Sequence, residues 1–407
     1  MRIAIVTDTY APAVNGVARF TSSLAANLAS AGHTVAVMAP TYPGVDASQP
    51  GESLVEVRVP SVFLPFYGSA RASFGPRVST GVRRFLETFQ PDVVHLQTHF
   101  FLAREALRWT ERLGIPVLGT CHSGADNFLL NIPVADRMAP LLRHFYWRDL
   151  ASVYSRTNLV TVPTEGMAEV LRRWAFKGPV RVVPNGVNTT LFSSEPQPVD
   201  EEVRARHNIP RRSSLLFVAR LDGDKGVPDL LSLLRMLARS ADGHLIVCGS
   251  GTQDAQLRQA VRELGLGERV SLTGWLPSAE LSSIYRLSSA LVVLNRNEVQ
   301  PLAVLEAFAS GLPVVCLRSR NLEDTVIDGV NGFLADSLDQ LYELGRRLLD
   351  DDELRGRLSK NARRIAEARF TLETASRRFA ACYQSVTSPA YIETLAHSGD
   401  GRRLDPI

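Results

Sequence analysis

At 407 residues, with 45% hydrophobic and 21% charged side chains, the chain is too long for one ordinary core and too apolar to be disordered. Its formal charge of +3 is no footprint for nucleic acid, so no nucleic-acid partner is expected. Cys121, Cys248, Cys316 and Cys382 stand far apart without a CxxC, which argues against a disulfide framework or a zinc site and for a reducing compartment.

The chain opens on "MRIAIVTDTY", an apolar run too short for a signal peptide, and no later run reaches membrane-spanning length. The expectation is a cytoplasmic protein that touches a membrane only peripherally, from its inner face. "RIAIVT", "TVAVMA", "LVEVRV", "DVVHLQ", "PVLGTC", "LVTVP" and "VRVVPN" then recur as short apolar runs between helical patterns such as "VARFTSSLAANLASAGH". Continuous apolar strands joined by helices indicate an α/β, doubly wound parallel sheet. A Pro-, Ser- and charge-rich stretch follows at 190–212, and the alternation restarts with "SLLFVAR", "HLIVCGS", "RVSLTGW", "ALVVLN" and "LPVVCL". Two Rossmann-like domains are expected, at 1–190 and 191–372. Residues 373–407 are read as an amphipathic helix returning to the first domain, then a frayed tail.

Open α/β sheets bind ligands beyond the carboxyl ends of their strands, so the following loops carry the chemistry. In the second half one strand runs into "ARLDGDKG", with Arg220 and Lys225 as two cations. "CGSGTQ" brings Gly249, "TGWLPS" brings Trp275, and the fourth loop is "NEVQPLAVLEAFASG" at 297–311. There Pro301 is placed at the first helical position, with Gly311 as the C-terminal stop. The N–H groups of Leu302 and Ala303, with the helix dipole, then form an anion site suited to phosphate. Glu298 and Glu306 cannot bind that phosphate; carboxylates suit pairs of hydroxyl donors instead. Hydroxyls on both sides of a phosphate describe a nucleotide-diphosphate sugar.

With "EVQPLAVLEAFASGLPVV" in view, the chain resembles the retaining glycosyltransferases of family 4, marked by Glu, seven residues and a second Glu. "TDTYAPAVNGVARF", "PDVVH", "GTCHSGADN", "LVTVPTEGMAEVL", "VPNGVNTTLF", "VARLDGDKG", "VSLTGWLP" and "VIDGVNGFL" extend the resemblance over nearly the whole chain in the family's order. It implies the GT-B fold, two Rossmann-like domains facing a cleft. It further implies that Arg220 and Lys225 clamp the donor pyrophosphate with Gly16 approaching it, that Glu306 takes the ribose and Glu298 the transferred sugar, and that His122 lies near that sugar. No cofactor and no metal is called for. Three departures stand out: Pro301 where the family has Gly, no double Gly after "LPVV", and a single Gly in "VNGVAR".

Bland readings compete at each site. Arg220, Asp222 and Asp224 also suit a solvated turn, Gly249 and Gly251 suit turn geometry because Asp254 spoils a GxGxxG, and His95 and His99 lack a metal partner at suitable spacing. The reading adopted is hexosyl transfer from a UDP-glucose or GDP-mannose type donor to a lipid or lipid-linked acceptor. A soluble sugar or small-molecule acceptor is the alternative, followed by a nucleotide-sugar epimerase and an inactive sugar-nucleotide sensor. The acceptor expectation rests on 70–89, where Phe74, Val78, Val82, Phe85 and Phe89 recur at helical steps beside Arg71, Arg77, Arg83 and Arg84. "LLRHFYWRDL" at 141–150 shares that character, and together they suggest contact with an anionic membrane surface. The competing reading packs those apolar residues on the sheet.

Overall fold

The computed structural model describes residues 1–45, 53–64, 71–129, 136–174, 176–240 and 243–388. Ala70 and the tail 398–407 lie outside them. The chain divides into two units, Met1–Gly186 together with the helix Leu372–Thr387, and Val187–Thr371.

In the first unit the strands are β1 (Arg2–Val6), β2 (Thr34–Pro40), β3 (Leu54–Val59), β4 (Val62–Phe63), β5 (Arg71–Ala72), β6 (Val93–Leu96), β7 (Val117–Thr120), β8 (Leu159–Val162) and β9 (Val180–Val182). Seven of them form a parallel sheet in the order β3-β2-β1-β6-β7-β8-β9, and β4 pairs with β5 antiparallel. The apolar runs are continuous because both faces are covered. Ile3 and Ile5 point into one core with Phe20, Leu24 and Phe379, while Ala4 and Val6 point into the other with Val78, Val82 and Leu107. The strand order reverses between β1 and β6, so the loops leaving those two strands diverge there and open a crevice.

The second unit repeats the plan with β10 (Leu215–Val218), β11 (Leu245–Cys248), β12 (Val270–Gly274), β13 (Ala290–Val293), β14 (Val314–Leu317) and β15 (Gly332–Ala335). Their order is β12-β11-β10-β13-β14-β15, again all parallel, with the reversal between β10 and β13. The loops carrying Arg220–Lys225 and Asn297–Pro301 leave those two strands.

The division falls after Gly186 and Thr371, and the charge-rich stretch at 190–212 belongs to the second unit. Its helix Val199–Arg206 is fixed there by a buried ion pair: Arg286 donates through Nε and Nη2 to both oxygens of Asp200, at 2.6–3.1 Å. Gly186 is required by close packing, since a Cβ there would lie 2.9 Å from the Leu372 Cα. Phe379, Cys382, Tyr383 and Val386 of the C-terminal helix are fully buried in the first unit's core. All four cysteines are free and buried, and no described helix is long and apolar enough to cross a membrane.

Candidate active site

At the reversal of the second sheet, a turn of 3-10 helix (Gly223–Lys225) carries Lys225 back toward the loop after β13. The turn can lie so close because Gly226 has φ +78° and a Cβ there would meet Leu294 and Asn295 backbone atoms at 3.1–3.2 Å. Lys225 Nζ donates to Glu298 Oε1 at 2.6 Å and lies 3.1 Å from Asp224 Oδ2. Burial opposes the ammonium charge, but Glu298 and Asp224 outweigh it and hold the Lys225 pKa above its ordinary value. Lys225 is therefore cationic at neutral pH.

Arg220 pairs with Asp222 and reaches within 3.6 Å of Asp224 Oδ2. Asp222 is itself held by the backbone N–H and hydroxyl of Thr252, both at 2.9 Å. This is not a solvated turn. Asp224 is 2% exposed, and its Oδ1 is buried without a partner among the described residues. Asn295 completes the frame, donating from Nδ2 to the Asp224 carbonyl at 2.6 Å.

Pro301 is not the first helical residue. It has φ −62° and ψ 129°, extended backbone, and caps the helix Leu302–Ala309 from outside. Its fixed φ suits that position as well as N1, and the chain arriving from Gln300 is still extended. Leu302 and Ala303 thus become the first two helical residues, whose N–H groups have no acceptor within the helix. The far end closes as expected, with Gly311 at φ +68° and Leu312 N–H donating to Ala307 O at 2.7 Å. Glu306 is 2% exposed and accepts from Tyr285 Oη at 3.0 Å.

The structure joins Arg220, Lys225 and Glu298 through their ion pairs and puts Leu302, Ala303 and Glu306 on the helix that follows. Gly249 has a steric cause: at φ +144° a Cβ would stand 1.8 Å from Ala219 O. Trp275 is 57% exposed, and its backbone N–H donates to Ser250 Oγ at 3.0 Å. Asn295 and Tyr285 escaped the sequence reasoning, and Asp224, in plain view in "LDGDKG", was read only as part of a solvated turn, because its burial has no sequence signal.

In the first unit, Asn15 caps the helix Gly16–Ser30, accepting from Ala18 N–H at 2.9 Å. Gly16 is exposed, and a Cβ there would meet no atom within 4 Å, so no protein neighbour demands glycine. His122 follows β7, with Nε2 2.7 Å from Gln97 Oε1 and its ring edge-on to Phe20. Burial pushes its pKa down to about 4, so the imidazole is neutral at physiological pH.

The basic-aromatic stretch divides. Val78, Val82 and Leu86 are buried against the sheet, with Phe85 and Phe89 half-buried and stacked on each other. Arg71 lies outside the helix Pro76–Phe89 and is tied to Ser61 by its Nε and Nη2, at 2.7 and 3.1 Å. Arg83 pairs with Glu87 at 2.8 Å, while Arg77 and Arg84 are exposed. Phe74 is 56% exposed and touches the exposed Phe101, at 5.6 Å between centroids.

A family model described as Glycosyltransferase Family 4 matches residues 14–191, and one described as Glycosyl transferases group 1 matches residues 199–365. The D-inositol 3-phosphate glycosyltransferase of Corynebacterium diphtheriae is 30% identical over 305 residues, 72% of this chain and 70% of that protein. The chain belongs to glycosyltransferase family 4. This glycosyltransferase is also 26% identical over 339 residues to the alpha-monoglucosyldiacylglycerol synthase of Streptococcus pneumoniae, covering 82% of this chain and 75% of that protein. Among solved structures, a sucrose-phosphate synthase from Thermosynechococcus elongatus matches with a TM-score of 0.75 at 22% identity, over 98% of this chain and 100% of that one. The glycosyltransferase accordingly has the GT-B fold, with one Rossmann-like sheet in each unit.

Proposed function

We propose that the enzyme transfers a hexosyl group, with retention of anomeric configuration, from a UDP-glucose or GDP-mannose type donor to a lipid or lipid-linked acceptor. The observation that carries the donor half is the 2.6 Å contact of Lys225 with Glu298 immediately before the free N–H groups of Leu302 and Ala303. A diphosphate entering there exchanges the carboxylate partners of Lys225 and Arg220 for phosphate oxygens. Glu298, released by Lys225, then accepts sugar hydroxyls, Glu306 accepts from the ribose beside its bond with Tyr285, and Gly16, as the resemblance implies, approaches the pyrophosphate. As the glycosidic bond breaks, negative charge grows on the leaving phosphate, where the two cations and the helix N-terminus are already aimed. The acceptor oxygen attacks the anomeric carbon from the leaving-group face, and its proton passes to the departing phosphate. In this reading His122 lies near the transferred sugar, as the family resemblance implies.

The lipid half rests on exposed apolar side chains of the first unit. Beside Phe74 and Phe101, the helix Ala139–Tyr154 exposes Leu141 and Phe145 on one face with Arg148, just after exposed Met138. With Arg77 and Arg84, these side chains suit shallow insertion into an anionic bilayer, each cation contributing about 1 kcal/mol near the surface. The synthase named for monoglucosyldiacylglycerol supports this acceptor; the relative named for D-inositol 3-phosphate supports the soluble alternative.

Sedimentation with vesicles separates the two. Binding that requires anionic lipid, weakens with salt and falls in Phe145→Ser/Arg148→Glu is expected. Wild type left in the supernatant at low salt removes the lipid reading. Thermal denaturation with UDP and GDP tests the donor half, since a nucleotide at a hundred times its Kd adds about 2.7 kcal/mol to the native state.

A further inference from the structure

His122 is only the outer member of a buried polar chain. Behind it lies Gln97, 1% exposed, at the carboxyl end of β6, beside the reversal of the first sheet. Behind Gln97 lies His95, fully buried, whose Nδ1 is 2.8 Å from Tyr383 Oη and whose Nε2 is 2.6 Å from Thr120 Oγ1. Thr120 continues to Thr161 Oγ1 at 2.6 Å. Tyr383 belongs to the helix Leu372–Thr387, so that helix supports a residue at the mouth of β6.

The orientation of the Gln97 amide follows from this packing. Its Nε2 is 3.1 Å from both ring nitrogens of His95. Such a point in the ring plane would collide with Cε1, and both in-plane lone-pair directions are already taken by Tyr383 and Thr120. The amide therefore lies over the ring face. A neutral imidazole face attracts N–H and repels a carbonyl oxygen. Burial, and then the neighbouring His122, push the His95 pKa well below its ordinary value, so that face is neutral. With the nitrogen turned to His95, Oε1 is the atom turned to His122, and an amide oxygen only accepts.

We infer that Gln97 is a positioning residue that holds His122 as its Nε2–H tautomer and leaves Nδ1 as an unprotonated acceptor for a hydroxyl of the ligand. The tautomer follows from the first unit's own packing and its neutral, buried imidazoles. The consequence for turnover rests on the transfer reading above, which places the sugar against His122. An acceptor nitrogen at this position orients a hydroxyl; the opposite tautomer would present a donor there. The second half of the network keeps that choice from drifting, because Tyr383 and Thr120 fix the ring on which the amide rests.

Two readouts test the inference. In long-range 15N–1H spectra of the full-length protein labelled at histidine, the His122 signals, identified by their loss in His122→Ala, should show protonated Nε2 and bare Nδ1. Gln97→Met should mix the tautomers and lower kcat at least about tenfold with donor KM within about twofold. A wild-type spectrum with protonated Nδ1 overturns the inference whatever the enzyme's reaction proves to be. So does a Gln97→Met protein with wild-type tautomer and wild-type kcat. If Gln97→Met does not fold, the wild-type spectrum alone decides. An expected tautomer with unaltered kcat in a tautomer-mixed Gln97→Met variant would overturn the catalytic consequence and the placement of sugar at His122.

Discussion

Lys225 and Glu298 occupy each other in the free enzyme, so each is a test of the other. Lys225→Ala or Arg220→Ala removes fixed positive charge where the leaving diphosphate gains negative charge, and kcat should fall on the order of a hundredfold or more at saturating donor. Glu298→Gln keeps the shape but weakens acceptance of two hydroxyls: transfer should drop while UDP or GDP binds as in wild type, measured by calorimetry. Glu306→Gln should weaken nucleotide binding instead. Equal losses in both variants would mean that the two carboxylates face the same half of the donor. These four residues were legible because cations after a strand and carboxylates flanking a helix start each have a chemical signature. Asp224 and Tyr285 were not. A short turn hides whether an acid is solvated, and Tyr285 reaches Glu306 from a separate helix, 21 residues earlier.

The helix Leu302–Ala309 is only eight residues long, so its position depends on what holds its ends. Arg363 supplies one anchor, donating from Nη1 to Ala309 O and to the carbonyls of Thr189 and Phe192 at 3.2 and 3.0 Å. The Asp200–Arg286 pair is a buried tie of the second unit. Arg286→Met should destabilise that unit by roughly 3–5 kcal/mol, because Asp200 is left buried without its partner; Asp200→Asn with Arg286→Met should recover part of the loss in thermal melts. Burial works to raise the Asp200 pKa, but hydrogen bonds and the Arg286 charge win and lower it. Its contribution is thus complete above the ordinary aspartate range and is lost as pH falls through the depressed native value, which predicts acid lability of the wild-type unit. Strands written as short apolar runs were readable, but β15, "GFLA" from Gly332, was not singled out as one: it opens on a glycine that also suits a turn. The helix Pro76–Phe89 showed its amphipathic period plainly. Period alone could not say that Val78, Val82 and Leu86 face the sheet, leaving the aromatic exposure to Phe74 just outside the helix.

At the scale of the molecule, the repeated doubly wound plan was legible because parallel sheets buried on both faces write themselves as unbroken apolar runs. The allocation of 187–212 was less so. Its composition is that of a linker, yet one aspartate meeting one arginine 86 residues away makes it part of the second unit. Transfer with retention is the central proposal for this chain, and the product's anomeric centre tests it most directly. Incubating the enzyme with 13C1-labelled UDP-glucose or GDP-mannose and diacylglycerol vesicles, then measuring the one-bond C1–H1 coupling of the product, separates the outcomes. Retention predicts an α-glycoside and one equivalent of nucleoside diphosphate. A β-glycoside, or an epimerised nucleotide sugar released without acceptor, would contradict it.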